Sequence, residues 1–177
     1  MFYVLVEIKP QKSRLGFTLI ELIAVISILA ILATTLLPKM ISVSREAKLA
    51  KIESLAGVTK SAANLASAKC HTTSTCNPSL KGLYTGAGQD NGDNTKVVVD
   101  GVTTYFHLGY PLAWIDGRGI DFWITYTGFT RQPYISSSFY RLFTLDSADN
   151  PSTCYVKYQA PFNSGTPYTI TTETSGC

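Results

Sequence analysis

In the stretch RLGFTLIELIAVISILAILATTLLPKM, Arg14 to Met40, one carboxylate stands apart: Glu21 is the only charge between Phe17 and Leu37. An acid at the centre of a bilayer costs about 2.5–3.5 kcal/mol on insertion scales and less toward an interface, so its presence marks a functional position that wants a partner. The run itself holds no Lys, Arg or His. Hydrolysis of the Gly16–Phe17 bond would supply the missing cation, because it frees an α-amino group of pKa about 8 roughly one helical turn from Glu21. That amine would be open to Glu21 of its own chain or of a neighbouring copy. Gly16 suits such a cut, since a residue without Cβ lets a peptidase approach the backbone closely.

The remaining reactive residues offer less. Cys70, Cys76, Cys154 and Cys177 are an even set of four that suits an oxidising compartment. Three connectivities are open; locality favours Cys70 with Cys76 and Cys154 with Cys177, the second clipping the terminus. A zinc cluster of Cys70, His71, Cys76 and His107 is the weaker reading, because the spacing is not Cys-x-x-Cys and exported thiols oxidise. Asp146, Asp149 and Asn150 are weak calcium candidates, since a loop with two acids is more often simply solvated. No Ser-x-x-Lys, Gly-x-Ser-x-Gly or His/Glu metal motif occurs, which argues against an enzyme and calls for no cofactor.

The elements that must position these residues follow from patterning. Phe17 to Leu37 spans 21 residues, thirteen of them Phe, Leu, Ile or Val; as a helix it covers about 32 Å, enough to cross a hydrocarbon core of about 30 Å. Lys9, Lys12 and Arg14 precede it, which predicts a cytoplasmic N-terminus and an exported body, although Lys39 and Arg45 dilute the asymmetry. Pro38 reads as a kink rather than an end, because Ile41, Leu49, Ile52, Leu55, Ala56, Ala62, Ala63 and Ala66 resume a period near 3.6. The spacing predicts an amphipathic helix over 38–69, with Gly57 its weak point.

Beyond it, Cys70 to Asn94 reads as loop. Lys96–Val99 and Val102–Leu108 around Asp100-Gly101 predict a hairpin with a type I′ turn. Ile120–Thr127, Phe139–Leu145, Thr153–Tyr158 and Tyr168–Thr172 read as further strands, giving an antiparallel sheet of four to six strands on the outward half of the helix. The expected fold class is therefore α+β: a long N-terminal helix on an antiparallel sheet, with an exported β-rich head over 70–177. The aromatic stretch from Tyr110 to Tyr140, with Trp114, Phe122, Trp123, Tyr126, Phe129, Tyr134 and Phe139, reads first as the core and edges of that sheet and second as an adhesive surface. The net charge is +3, and it falls to +1 (12 basic minus 11 acidic) without residues 1–16. No basic stripe crosses the body, which argues against nucleic acid as a partner.

Gly16-Phe17-Thr18-Leu19-Ile20-Glu21, its basic leader and the apolar run after it resemble the type IV prepilin processing and methylation motif, which type II secretion pseudopilins also carry. The resemblance implies removal of residues 1–16 by a prepilin peptidase and N-methylation of Phe17. It implies that Glu21 pairs with the Phe17 amine of an adjacent subunit and sets register during assembly, and that Pro38 is the helix-kinking proline of many members. Implied partners are further copies of the chain in a homopolymeric filament and an inner-membrane assembly platform with its ATPase. The implied location is the inner membrane as a single-pass precursor, then a pilus at the cell surface. Phe106-His107-Leu108-Gly109-Tyr110-Pro111, the Tyr155 strand and Gly176-Cys177 are similar to major pilins of the mannose-sensitive haemagglutinin type, which serve in attachment. The alternative role is a pseudopilin of type II secretion, or a minor pilin.

Overall fold

The computed structural model describes residues 18–80, 83–85, 89–91, 95–113, 116–133 and 139–177, without the side chains of 35–38, 41, 83–85 and 89–91. It forms two compact units, Met1–Val43 and Ser44–Cys177. Helix α1, Leu19–His71, contributes to both.

In the first unit the helix is apolar on every side. Leu19, Ile20, Leu22, Ile23, Val25 and Ile26 are all exposed, as are the larger residues on to Leu32. The few hydroxyls in the run are satisfied locally: Ser27 Oγ donates to the Ile23 carbonyl at 2.7 Å and Thr34 Oγ1 to Ile31 at 2.8 Å, the back-bonding that lets such side chains sit in apolar surroundings. The helix runs on through Pro38, so the expectation that the proline does not end it holds. The kink expected there rests on a side chain outside the described residues.

In the second unit the helical period selects what is buried. Ile52, Leu55, Ala62, Ala63, Ala66 and Cys70 are buried, whereas Glu46, Lys51, Glu53 and Lys60 are exposed. Thr59 joins the buried face although it is polar, because its hydroxyl donates to the Leu55 carbonyl at 2.7 Å and needs no outside partner. The helix ends at His71, two residues beyond the expected Lys69.

The described residues beyond the helix form nine strands: β1 Leu83–Thr85, β2 Gln89–Asn91, β3 Lys96–Val99, β4 Val102–His107, β5 Tyr110–Pro111, β6 Phe129–Arg131, β7 Tyr140–Leu145, β8 Tyr155–Gln159 and β9 Thr169–Glu173. The single sheet of four to six strands expected from the sequence is instead divided into three antiparallel sheets, β1-β2, β3-β4-β5 and β6-β7-β8-β9. The core divides with it. The larger cluster joins Ile52, Leu55 and Ala63 of the helix to Phe143, Val156 and Tyr158 of the four-stranded sheet. The smaller one joins Ala66 and Cys70 to Cys76, Val97 and Phe106 of the three-stranded sheet. Successive turns of one helix thus serve two sheets.

The β3–β4 hairpin is as predicted. Val99 faces Val102, and Asp100 and Gly101 take φ of 50° and 78°, the two left-handed residues a type I′ turn needs. The turn from β4 to β5 repeats this with Leu108 at 51° and Gly109 at 81°. A bulky residue in that region gives no turn signal in sequence; Gly109 is needed because an added Cβ would lie 3.0 Å from Pro78 Cβ.

Three further expectations are overturned. Ile120–Thr127 is not a strand but a 3-10 turn, Ile120–Phe122, followed by irregular chain. The cause is Asp121, whose carboxylate accepts from Gly117 N at 2.9 Å, Gly119 N at 3.3 Å and Arg131 Nη1 at 2.7 Å, local bonds that compete with a strand ladder. The stretch Cys70–Asn94 is not all loop, since it contains β1 and β2, each too short to show alternation. Thr153 closes a 3-10 turn, Pro151–Thr153, before β8 starts at Tyr155; Asn150 caps that turn by accepting from Ser152 N at 3.1 Å.

The aromatic stretch lies mostly at the edge of the core. Phe122, Trp123, Tyr126, Phe129 and Tyr140 are half-buried and Phe139 is exposed, while Trp114 and Tyr134 fall outside the described residues. Tyr158 is fully buried and donates to the Pro111 carbonyl at 2.9 Å, tying β8 to β5. Burial first, then the neighbouring Tyr168 and Tyr110, pushes its hydroxyl well above the usual tyrosine range, so it stays a neutral donor.

Candidate functional site

The site predicted by sequence is the junction of Gly16, Phe17 and Glu21. Gly16 and Phe17 lie outside the described residues, so the site begins at Thr18. There the geometry is specific. Thr18 is the N-cap of α1 and Glu21 stands three residues on, the spacing of a capping box. The Glu21 carboxylate oxygen Oε2 accepts from the Thr18 backbone N–H at 2.9 Å and from the Thr18 hydroxyl at 2.8 Å. In return Glu21 N approaches Thr18 Oγ1 at 3.4 Å, and the first helical bonds run from Glu21 N and Leu22 N to the Thr18 carbonyl.

Two consequences follow from elementary chemistry. The carboxylate is folded back toward the helix N-terminus, where the unpaired amides and the helix dipole favour negative charge. Its donor is the amide of Thr18, a peptide N–H that survives a cut between Gly16 and Phe17. Both bonds fall on Oε2, and among the described residues Oε1 has no further partner. The sequence contained this signal, Thr-x-x-Glu before an apolar run, but the reading of Glu21 as an acid awaiting an amine passed over Thr18.

The other sequence-derived residues are placed as follows. Cys70–Cys76 and Cys154–Cys177 are disulfides, each with Cα atoms 5.1 Å apart, which are the two local pairings. The cysteines of the alternative zinc cluster are therefore bonded to each other, and His71 at the helix end is exposed. Asp146, Asp149 and Asn150 each engage a different partner. Asp146 accepts from Thr130 Oγ1 at 2.7 Å, Asp149 pairs with Lys48 at 2.7 Å, and Asn150 caps the 3-10 turn. No group of three His, Cys, Asp or Glu side chains converges among the described residues. Gly176 has a role that the sequence left unexplained. An added Cβ there would overlap the Thr153 hydroxyl and the Asn150 carbonyl, because the segment before Cys177 is stitched in by Asn150 N to Gly176 O and Gly176 N to Thr153 O, both 2.9 Å.

No described helix is long and apolar enough to cross a membrane. The described side chains of the apolar run end at Thr34, while the expected span also draws on Phe17 and residues 35–37, which lie outside them. Comparison with known families matches the prokaryotic N-terminal methylation motif to residues 11–37. That match takes in Gly16, Phe17, Thr18 and Glu21 together and none of the head. No curated protein and no solved structure matches the chain.

Proposed function

From the N-terminal methylation motif at residues 11–37 we infer that this chain is the subunit of a type IV pilus, a helical surface filament used in attachment. It is made as a membrane precursor with residues 17–37 as the span, cut between Gly16 and Phe17 by a prepilin peptidase, and methylated on the Phe17 amine. An inner-membrane platform and its ATPase then move it into a fibre of identical copies. The motif match is the observation that carries this reading.

Physical features of both units support it. Ten large apolar side chains from Leu19 to Leu32 are exposed around the whole helix circumference. At about 1.5–3 kcal/mol for each side chain taken out of water, some 15–30 kcal/mol at most favours covering them, and a helix apolar on all sides needs lipid or a bundle of like helices. Transfer between those two surroundings is nearly neutral, which suits reversible assembly. The Thr18–Glu21 box supports the pairing argument: the carboxylate is already turned to the end of the helix where a Phe17 amine would lie, with Oε1 left to accept from it. Two disulfides in the head suit an exported domain.

Three measurements test the reading and its pairing step. The mass of the mature N-terminus should correspond to a chain beginning at methylated Phe17; a chain starting at Met1, or cut elsewhere, refutes it. Shear fractions should hold the protein as a bulk component of long surface fibres, whereas confinement to the periplasm would favour a secretion pseudopilin. Glu21→Ala should be cut normally and assemble poorly, with at least about a tenfold loss of fibre if the lost pairing is worth about 1.4 kcal/mol or more. Fibre yields equal to wild type would refute the pairing.

A further inference from the structure

Within the head, four charged side chains interlock at a place the proposed processing and assembly chemistry does not use. Asp121 is the settled member, holding two backbone amides and Arg131 as described. Arg141, on β7, is not settled. Its side chain is only 1% exposed, and its Nη1 donates to the Gln132 carbonyl at 3.2 Å. Its Nε and Nη2 are buried and have no hydrogen-bond partner among the described residues. The counter-charge is Asp116, whose Oδ1 lies 2.9 Å from Arg141 Nη2 and 3.4 Å from Arg131 Nη1. The shorter contact has the distance of an ion pair but not the alignment of a hydrogen bond.

Nε and Nη2 form one edge of the guanidinium, the planar fork that holds a carboxylate through two parallel bonds. Asp116 offers that edge a single oxygen. The two partners also differ in how they tolerate separation: the Asp116 side chain is 59% exposed and can turn into water, while Arg141 cannot follow it. A buried arginine that loses its counter-ion is strongly disfavoured until another anion arrives. Charge arithmetic sets the ligand class. With Asp116 withdrawn, Arg131, Arg141 and Asp121 sum to +1 (two positive, one negative), which matches a monoanion rather than a doubly charged phosphate.

We propose that Arg141, with Arg131 beside it, forms a carboxylate-binding site in the head, which the chain's own Asp116 fills as a replaceable one-point ligand. A small carboxylate from another molecule takes the fork through both Nε and Nη2 when Asp116 swings out.

Chemical rescue tests this on the full-length chain in detergent. Asp116→Ala should lower the unfolding midpoint by about 5 °C, since the buried Arg141 loses the carboxylate it is paired with. Sodium formate should restore it with saturation, and sodium chloride at equal ionic strength should not. Adding Arg141→Lys to Asp116→Ala keeps the positive charge but removes the fork, and the formate response should then disappear. Should the alanine variant not fold, the wild-type chain carries the test: formate should shift the Arg141 Nε–H signal saturably in nuclear magnetic resonance. Unchanged unfolding in Asp116→Ala, equal effects of formate and chloride, or an Arg141 Nε–H signal indifferent to formate would each overturn the proposal.

Discussion

The two units handle their apolar residues in opposite ways. In Ser44–Cys177 the large apolar groups meet one another: Ile52, Phe143, Leu145, Val156 and Tyr158 are fully buried in one cluster, and hydrogen bonds such as Tyr158 to Pro111 or Lys48 to Asp149 join distant parts of the chain. In Met1–Val43 the described side chains form only local bonds, no more than four residues apart, and the apolar ones stay exposed. The head has its own buried core, whereas among the described residues of the first unit there is a helix and no buried cluster. A region that is locally complete and globally uncovered stores its stabilisation for a different environment.

Paired substitutions can break that contrast. Phe143→Ala should destabilise the head by about 3–5 kcal/mol through lost burial and the cavity left behind, read as a large fall in the thermal midpoint. Ile26→Ala, at an exposed position, should leave that midpoint unchanged. Equal losses would mean that the two units share a core.

Next in size are the disulfides. Replacing Cys154 and Cys177 by Ser opens a loop with a sequence separation of 23 and should cost about 3 kcal/mol. The Cys70–Cys76 pair, with a separation of 6, should cost about 2 kcal/mol on the same chain-entropy argument. Denaturant midpoints of the two double variants give the order, and a reversal would show that strain or denatured-state structure outweighs loop length.

A smaller effect sharpens the view of the head as self-satisfied. Tyr158→Phe leaves the buried Pro111 carbonyl without its donor and should cost about 1–2 kcal/mol; no change would mean that water reaches that carbonyl. Last comes a gain. Gly57 is exposed and an added Cβ there meets nothing within 4 Å, so Gly57→Ala should raise helix stability by about 1 kcal/mol. A loss would mean that the backbone at this position is needed bare.

The sequence was most legible where structure depends on near neighbours. The start of α1, its passage through Pro38 and its buried face are set by a period of 3.6 and by caps three residues apart, all contained in a short window. Asp100-Gly101 specified its hairpin because two adjacent left-handed residues are a local requirement. Leu108-Gly109 makes the same turn without announcing it, since Pro78 and the strands on either side impose the geometry. Ile120–Thr127 looked like a strand because its apolar and aromatic content fits one. The Asp121 carboxylate, drawing in Gly117, Gly119 and Arg131, decided otherwise.

By itself, then, the sequence determined the N-terminal methylation motif, the position of the lone acid and the helix that presents it. These rest on covalent order and on interactions within a turn or two of the chain. Only the tertiary structure decided that one helix serves two sheets, that Cys154 meets Cys177, that Gly176 must lack a Cβ, that Asp149 goes to Lys48, and that Arg141 is buried against Asp116 with Nε and Nη2 lacking a hydrogen bond among the described residues. Each of these depends on residues brought together from tens of positions apart, and such meetings are set by packing rather than by any local pattern.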